Sequence, residues 1–146
     1  MNGCDKSVGR YISILYRRAQ SYISSQMKAY NIGSGQYIFL FILYERDGIS
    51  QEELSQKLMI DKGTTARAID KLEKAGYVMR RKNPEDRRAY NIFITDKARE
   101  IQPVLHKMLA SWTDILVSDL SEEERAMLYR IMEKMVNSTM AYMKEN

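Results

Sequence analysis

Apolar residues recur every three or four positions early in the chain, at Val8, Ile12, Leu15, Ala19, Tyr22 and Met27. That spacing predicts a helix from about Val8 to Tyr30 with one apolar stripe. Asn31-Ile32-Gly33-Ser34-Gly35 interrupts it with turn formers. Gln36 to Glu45 predicts a second helix that is apolar nearly all round, through Ile38, Phe39, Phe41, Ile42 and Leu43, and such a helix belongs at the centre of a core. After Asp47-Gly48, Ser50-Gln51-Glu52-Glu53 has the form of a capping box and starts a short helix with Leu54 and Leu58 inward. Asp61 is a suitable N-cap for a helix running to about Ala75, with Thr65, Ile69 and Leu72 on its inner face and Gly76 ending it.

The period then changes. Tyr77 to Lys82 and Ala89 to Ile94 predict two short strands, and Asn83-Pro84-Glu85-Asp86-Arg87-Arg88 between them predicts a hairpin turn. Thr95 caps a long helix to about Leu116, striped by Ala98, Ile101, Leu105, Met108, Trp112 and Ile115, which Pro103 should bend. Ser121-Glu122-Glu123-Glu124 is a second capping box, and a last helix carries Leu128, Ile131, Met132, Met135, Val136, Met140 and Met143.

Four helices, a hairpin and two helices give a mainly α fold with a small β-hairpin wing. Residues 34–95 make a winged helix-turn-helix. Residues 1–33 and 96–146 supply long flanking helices within the same compact fold. Their stripes have no separate core to cover, so packing against a second copy of the chain is expected, with folding back as a monomer the alternative. Met127, Met132, Met135, Met140 and Met143 fit that interface better than a soft-metal site, because methionine fills adaptable contacts.

Composition narrows the function. No apolar run approaches the roughly 18 residues of a membrane span. No basic-then-apolar secretion signal is present at the start. The single cysteine, Cys4, cannot form an internal disulfide, which makes a reducing cytoplasm the simplest location. His106 is the lone histidine, and no metal-ligand spacing surrounds it. The chain lacks a Gly-rich phosphate loop, a nucleophile elbow and any sequence proximity of Cys4 to His106, so no catalytic site or cofactor is expected.

Charge is more informative. Residues 61 to 90 hold nine basic and five acidic residues, an excess of +4 that equals the net charge of the whole chain. Such concentration marks a surface for a polyanion, or else a solvated basic face. In a helix-turn-helix the second helix enters the major groove. With Thr65, Ile69 and Leu72 inward, the outward positions are Lys62, Gly63, Thr64, Arg67 and Lys71. Gly63 and Ala66 permit close approach, Thr64 can bond a base or a phosphate, and Arg67 can make a forked pair with guanine. Lys62 and Lys71 suit phosphates. At the hairpin tip, Arg87 and Arg88 suit a minor groove, with Asp86 as the partner that holds an arginine in one rotamer. The expected partner is double-stranded DNA.

The run Asp61-Lys62-Gly63-Thr64-Thr65-Ala66-Arg67-Ala68-Ile69-Asp70-Lys71-Leu72-Glu73-Lys74-Ala75-Gly76-Tyr77-Val78, then Asn83-Pro84-Glu85-Asp86-Arg87-Arg88-Ala89 and Ile92-Phe93-Ile94-Thr95, closely resembles the MarR family of transcriptional regulators. The flanking helices match in order and length. The resemblance implies that Asp86 and Arg88 are the wing aspartate and minor-groove arginine, and that Thr64 and Arg67 lie on the DNA-reading face. It also implies a homodimer on a pseudo-palindromic operator, acting most often as a repressor relieved by a small molecule or an oxidant. Oxidant-sensing members of that family carry a reactive cysteine in the first helix. Gly9 falls on that position and Cys4 precedes it, so Cys4 is read as inert.

Ligand-responsive members hold aromatic acids or other amphipathic molecules where the dimer helices meet the DNA-binding lobe. The candidates for such a site are Arg17, Tyr37, Phe41 and Trp112, with Arg17 suited to a carboxylate and the rings to an aromatic ligand. Ordinary core packing is the simpler account of the rings. Two alternatives to a sequence-specific regulator remain: a winged-helix protein-interaction module, and a DNA-binding protein without sequence preference.

Overall fold

The computed structural model describes residues 6–145, and Cys4 lies outside them. The described residues form α1 (Val8–Met27), α2 (Tyr37–Glu45), α3 (Gln51–Leu58), α4 (Lys62–Lys74), β1 (Val78–Lys82), β2 (Tyr90–Ile94), α5 (Asp96–Val117) and α6 (Glu122–Glu145), with a short 3-10 turn at Lys28–Tyr30. The order is the one that the hydrophobic pattern predicts. The chain packs as two compact units, one up to Leu109 and one from Ala110, and α5 contributes to both.

In the first unit, α2 is the centre of the core. Phe39, Leu40 and Leu43 are wholly buried, while Ile38, Phe41 and Ile42 are partly buried against the same cluster. Leu54 of α3, Ile69 and Leu72 of α4, Ile92 of β2 and Leu105 of α5 close around them. The second half of α1 joins this core, with Ile23 and Met27 buried in it and Ala19 and Tyr22 packed against it. Val8, Ile12 and Leu15 of its stripe stay exposed.

Local chemistry sets the helix boundaries. The Ser50 hydroxyl accepts from the Glu53 amide at 3.1 Å and starts α3. Asp61 does the same for α4, accepting from the Thr64 amide at 2.8 Å. Gly76, at φ +84°, ends α4, and its amide and that of Tyr77 bond back to Glu73 and Leu72. A positive φ there suits glycine, which has no Cβ to clash. Lys97 then donates to the Ala75 carbonyl at 2.6 Å, a cation against the negative end of the helix. α5 continues through Pro103, which lies on an exposed side.

β1 and β2 pair antiparallel, with Val78 opposite Ile94 and Lys82 opposite Tyr90. Gly48, Ile49 and Ser50 add a third edge that the sequence pattern does not predict. The Gly48 amide donates to the Ile92 carbonyl, the Ile92 amide donates to the Ile49 carbonyl, both at 2.9 Å, and Ser50 bridges to Asn91. The Asp47 carboxylate completes this junction by accepting from the Ile94 amide at 2.8 Å.

In the second unit, Ser121 and Glu124 make both halves of a capping box. The Ser121 amide donates to the Glu124 carboxylate at 2.8 Å, and the Glu124 amide donates to the Ser121 hydroxyl at 3.2 Å. Along α6, Leu128 and Met135 are half-buried, whereas Met127, Ile131, Met132, Val136, Met140 and Met143 are exposed. No helix among the described residues is long and apolar enough to cross a membrane.

Candidate nucleic-acid interface

α4 buries Thr65, Ala68, Ile69 and Leu72, which turns Lys62, Gly63, Thr64, Arg67 and Lys71 to the surface. The start of this face is ordered by hydrogen bonds. The Thr64 hydroxyl donates to Asp61 Oδ2 at 2.7 Å and accepts from Arg67 Nη2 at 3.1 Å. The Thr64 hydroxyl, then its amide, hold the Asp61 carboxyl below its ordinary range, and the Arg67 charge adds to this. A Cβ at Gly63 would stand 3.4 Å from both Arg67 Nη1 and Asp61 Oδ1, so glycine leaves that corner open. Lys62 forms an exposed ion pair with Glu52 of α3 at 3.3 Å, and exposed pairs of this kind contribute little to stability.

The wing loop, residues 83–89, is held by its own polar groups. Asn83 Oδ1 accepts from the Glu85 amide at 2.9 Å, the Asn83 amide donates to the Ala89 carbonyl at 2.9 Å, and Asp86 Oδ1 accepts from the Arg88 amide at 3.0 Å. The expected role of Asp86 was to hold an arginine side chain. Its carboxylate bonds the Arg88 backbone instead, because an Asx side chain readily reaches the amide two residues on. Arg87 and Arg88 are exposed at the tip. A cleft of about 250 Å³ separates the wing from α3 and the start of α4, and Glu52, Lys62, Asp86, Arg88 and Tyr90 line it. Of the predicted helix face Lys62, and of the predicted wing Asp86 and Arg88, line this cleft together.

Arg80 is one of the nine cations of the basic segment, and the fold makes it join the hairpin to the helices beneath it. From β1, its guanidinium pairs with Asp70 and, at 3.6 Å, with Glu73, both on α4. It also donates to the Ala66 carbonyl at 3.2 Å and to Gln51 Oε1 of α3 at 3.3 Å. The signal in the sequence is the pair of carboxylates three residues apart on α4, but their partner is revealed only by the fold.

The candidate ligand residues are distributed differently. Tyr37 and Phe41 meet edge to face at 6.2 Å, and Phe41 meets Tyr44 in the same way at 6.2 Å. His106 of α5 packs on Phe41 at 5.2 Å. Tyr44 and His106 therefore belong to a cluster in which only Tyr37 and Phe41 were expected. Burial raises the Tyr37 phenol above its ordinary range, with Tyr16 adding to the effect. Arg17 lies exposed on α1 and donates to Ser13 of its own helix, outside this ring cluster. Trp112 lies in the second unit. Among the described residues no group of three or more His, Cys, Asp or Glu is placed to hold a metal ion.

The sequence profile of the MarR family matches residues 32–90, which span α2 to the start of β2. The chain is 30% identical over 126 residues to the HTH-type transcriptional regulator YybA of Bacillus subtilis (strain 168), covering 84% of each chain. A MarR transcriptional regulator from Methanosarcina mazei Go1 superimposes with a TM-score of 0.88 at 44% identity, over 92% of this chain and 97% of that one. A MarR family regulator from Listeria monocytogenes, solved in complex with 26mer DNA, superimposes with a TM-score of 0.84 at 28% identity, over 91% and 89%. With a helix-turn-helix and a wing bordering one cleft, and with likeness to these regulators over most of its length, the chain belongs to the MarR family: it is a DNA-binding transcriptional regulator, not an enzyme.

Proposed function

We propose that the protein is a cytoplasmic homodimeric repressor that holds a pseudo-palindromic operator and releases it when a small aromatic or amphipathic molecule binds. The observation that carries the DNA-reading assignment is the shared groove: Lys62 of α4 and Arg88 of the wing line the same cleft. In this reading Arg67 and Thr64 address base edges in the major groove from a helix kept slim by Gly63. Lys62 and Lys71 hold phosphates, and Arg87 and Arg88 enter the adjacent minor groove from a loop shaped by Asp86.

The dimer reading is supported by the exposed apolar residues of α1 and α6, which a monomer would leave in water. Domain roles follow: residues 1–33 and 96–146 join the copies, and residues 34–95 read DNA. An effector would act by preferring a dimer whose two recognition helices are not about 34 Å apart. Arg17, Tyr37, Phe41 and Trp112 are the candidate contacts for it, and Tyr44 and His106 are added by their packing on Phe41.

Fluorescence anisotropy over a salt series tests this reading, using the duplex upstream of the protein's own gene and a scrambled duplex of equal length. Tight binding to the first alone is expected. Arg87→Ala and Arg88→Ala should weaken binding to every sequence and flatten the salt dependence. Unchanged affinity and slope in both variants would remove the wing from the interface. Salicylate should raise the melting temperature and release the duplex, and failure of both would remove the aromatic effector.

A further inference from the structure

Three residues at the start of α4 form a directed chain of hydrogen bonds whose polarity follows from their chemistry. An ionised carboxylate only accepts and a guanidinium only donates, while a hydroxyl has one hydrogen and two lone pairs. Thr64 Oγ1 lies 2.7 Å from Asp61 Oδ2 and 3.1 Å from Arg67 Nη2. Its hydrogen must therefore point to Asp61, and one lone pair is taken by Arg67. What Thr64 offers outward is a single lone pair, with no donor.

We infer that Asp61 is a positioning residue for sequence readout, setting Thr64 as an acceptor that selects a base amine and holding Arg67 towards the adjoining guanine. The inference rests on the DNA-reading assignment of α4 made above. Phosphate oxygens only accept, so Thr64 in this state cannot bond one. The groups that match it in the major groove are the exocyclic amines of adenine and cytosine, while thymine O4 and guanine O6 are rejected as acceptors facing an acceptor. Every base pair carries one amine in that groove, on one strand or the other, so Thr64 selects the orientation of its base pair. Arg67 keeps its remaining N–H donors for guanine O6 and N7, with its rotamer held before DNA arrives, so less rotamer entropy is lost on binding. All three side chains are exposed on one end of the helix, where base edges are met.

The test starts from a duplex that the full-length protein selects from a randomised library. Duplexes are then made in which one base at a time loses its amine, purine replacing adenine or 2-pyrimidinone replacing cytosine. For the wild type, one such deletion per half-site should weaken binding by about 3- to 10-fold, the value of one hydrogen bond. Thr64→Val should bind more weakly and be indifferent to that deletion, and Thr64→Ser should restore the response. Asp61→Asn keeps a good helix cap but presents an amide N–H to Thr64, turning the hydroxyl hydrogen outward. It should shift the preference at that position to the reversed base pair.

Three results would overturn the relay: Thr64→Val still responding to the amine deletion; Thr64→Val losing affinity equally on all duplexes with a smaller salt slope, which would make Thr64 a phosphate contact; or Asp61→Asn keeping the wild-type preference. If Asp61→Asn does not fold, as judged by circular dichroism, Thr64→Val decides alone, because it retains the Thr64 amide bond to Asp61. Arg67→Ala separates this from failure of the larger reading. A wild-type base profile in both Arg67→Ala and Thr64→Val would remove α4 from sequence readout altogether.

Discussion

The guanidinium of Arg80, on the first strand of the wing, is paired with the carboxylate of Asp70 on the recognition helix. Three hydrogen bonds, from its side chain and its amide, and a second ion pair tie the same residue to Ala66, Gln51 and Glu73. Arg80, whose side chain is only 20% exposed, thus ties the wing to the helix beside the shared apolar core. Arg80→Ala should lower unfolding stability by about 1.5–3 kcal/mol, the range for hydrogen bonds to charged groups, and urea titration measures it. Arg80→Lys should recover only part, since an ammonium cannot reproduce the planar fork.

The corner between α2 and α3, where Gly48 lies against β2, has no room for a side chain. Gly48 sits at φ +75°, and a Cβ there would stand 2.7 Å from Cε1 of Phe93. Moving the Phe93 ring aside would also disturb the Arg81 guanidinium that lies over it at 5.1 Å. Gly48→Ala should cost about 1–3 kcal/mol through left-handed strain together with the clash. A thermal melt of the variant within 1 °C of the wild type would contradict this.

Alkaline pH should loosen the first unit. Burial pushes the Tyr44 phenol up to about 12, with Tyr77 adding to it, and its hydroxyl donates to the Ala98 carbonyl at 2.5 Å. The folded pKa is raised, so the contribution is complete below the unfolded value of 10.0 and is lost as pH rises towards 12. Tyr37 and Tyr77 are raised in the same direction. Stability should fall between pH 10 and 12, and Tyr44→Phe should be less stable at pH 7 but lose less across that interval. An identical pH slope in the variant would refute this assignment.

The exposed apolar faces predict an association that can be broken by single charges. Leu15 of α1 is 47% exposed and Met132 of α6 is 52% exposed. Burying either against a second copy would contribute on the order of 1 kcal/mol, and a carboxylate in its place would oppose burial more strongly. Sedimentation equilibrium should find a dimer for the wild type, and at least 10-fold weaker association for Leu15→Glu and Met132→Glu. A monomeric wild type would end the dimer reading.

What could be read from the sequence was what is decided locally. Asp61 and Ser50 as caps, Gly76 as a stop, and Pro84 within a hairpin turn each act on residues no more than a few positions away, so their types announce the structure. The outward face of α4 followed from placing Thr65, Ile69 and Leu72 inside, and all three are buried. The third sheet edge at Gly48–Ser50 was missed because it is too short to show a period. Arg80 was missed because its partners lie on other elements, and net charge does not distinguish a paired cation from a free one. Asp86 was given the wrong bonding partner for a related reason: the residue types Asp-Arg-Arg suggest an ion pair, whereas the loop backbone takes the carboxylate first. Similarly, Tyr44 and His106 join Phe41 only once α2 and α5 are side by side in the first unit.

The division of labour inside the wing has an evolutionary consequence. Asn83, Asp86 and the loop backbone make the bonds that shape the turn, and the Arg87 and Arg88 side chains take no part in them. Substitutions at these two positions should therefore leave the turn intact while changing what its tip can touch. Gene duplicates of this regulator could tune how tightly they hold DNA through residues 87 and 88 without first acquiring compensating changes elsewhere in the loop, whereas drift at Asn83 or Asp86 would dismantle the support on which the tip depends.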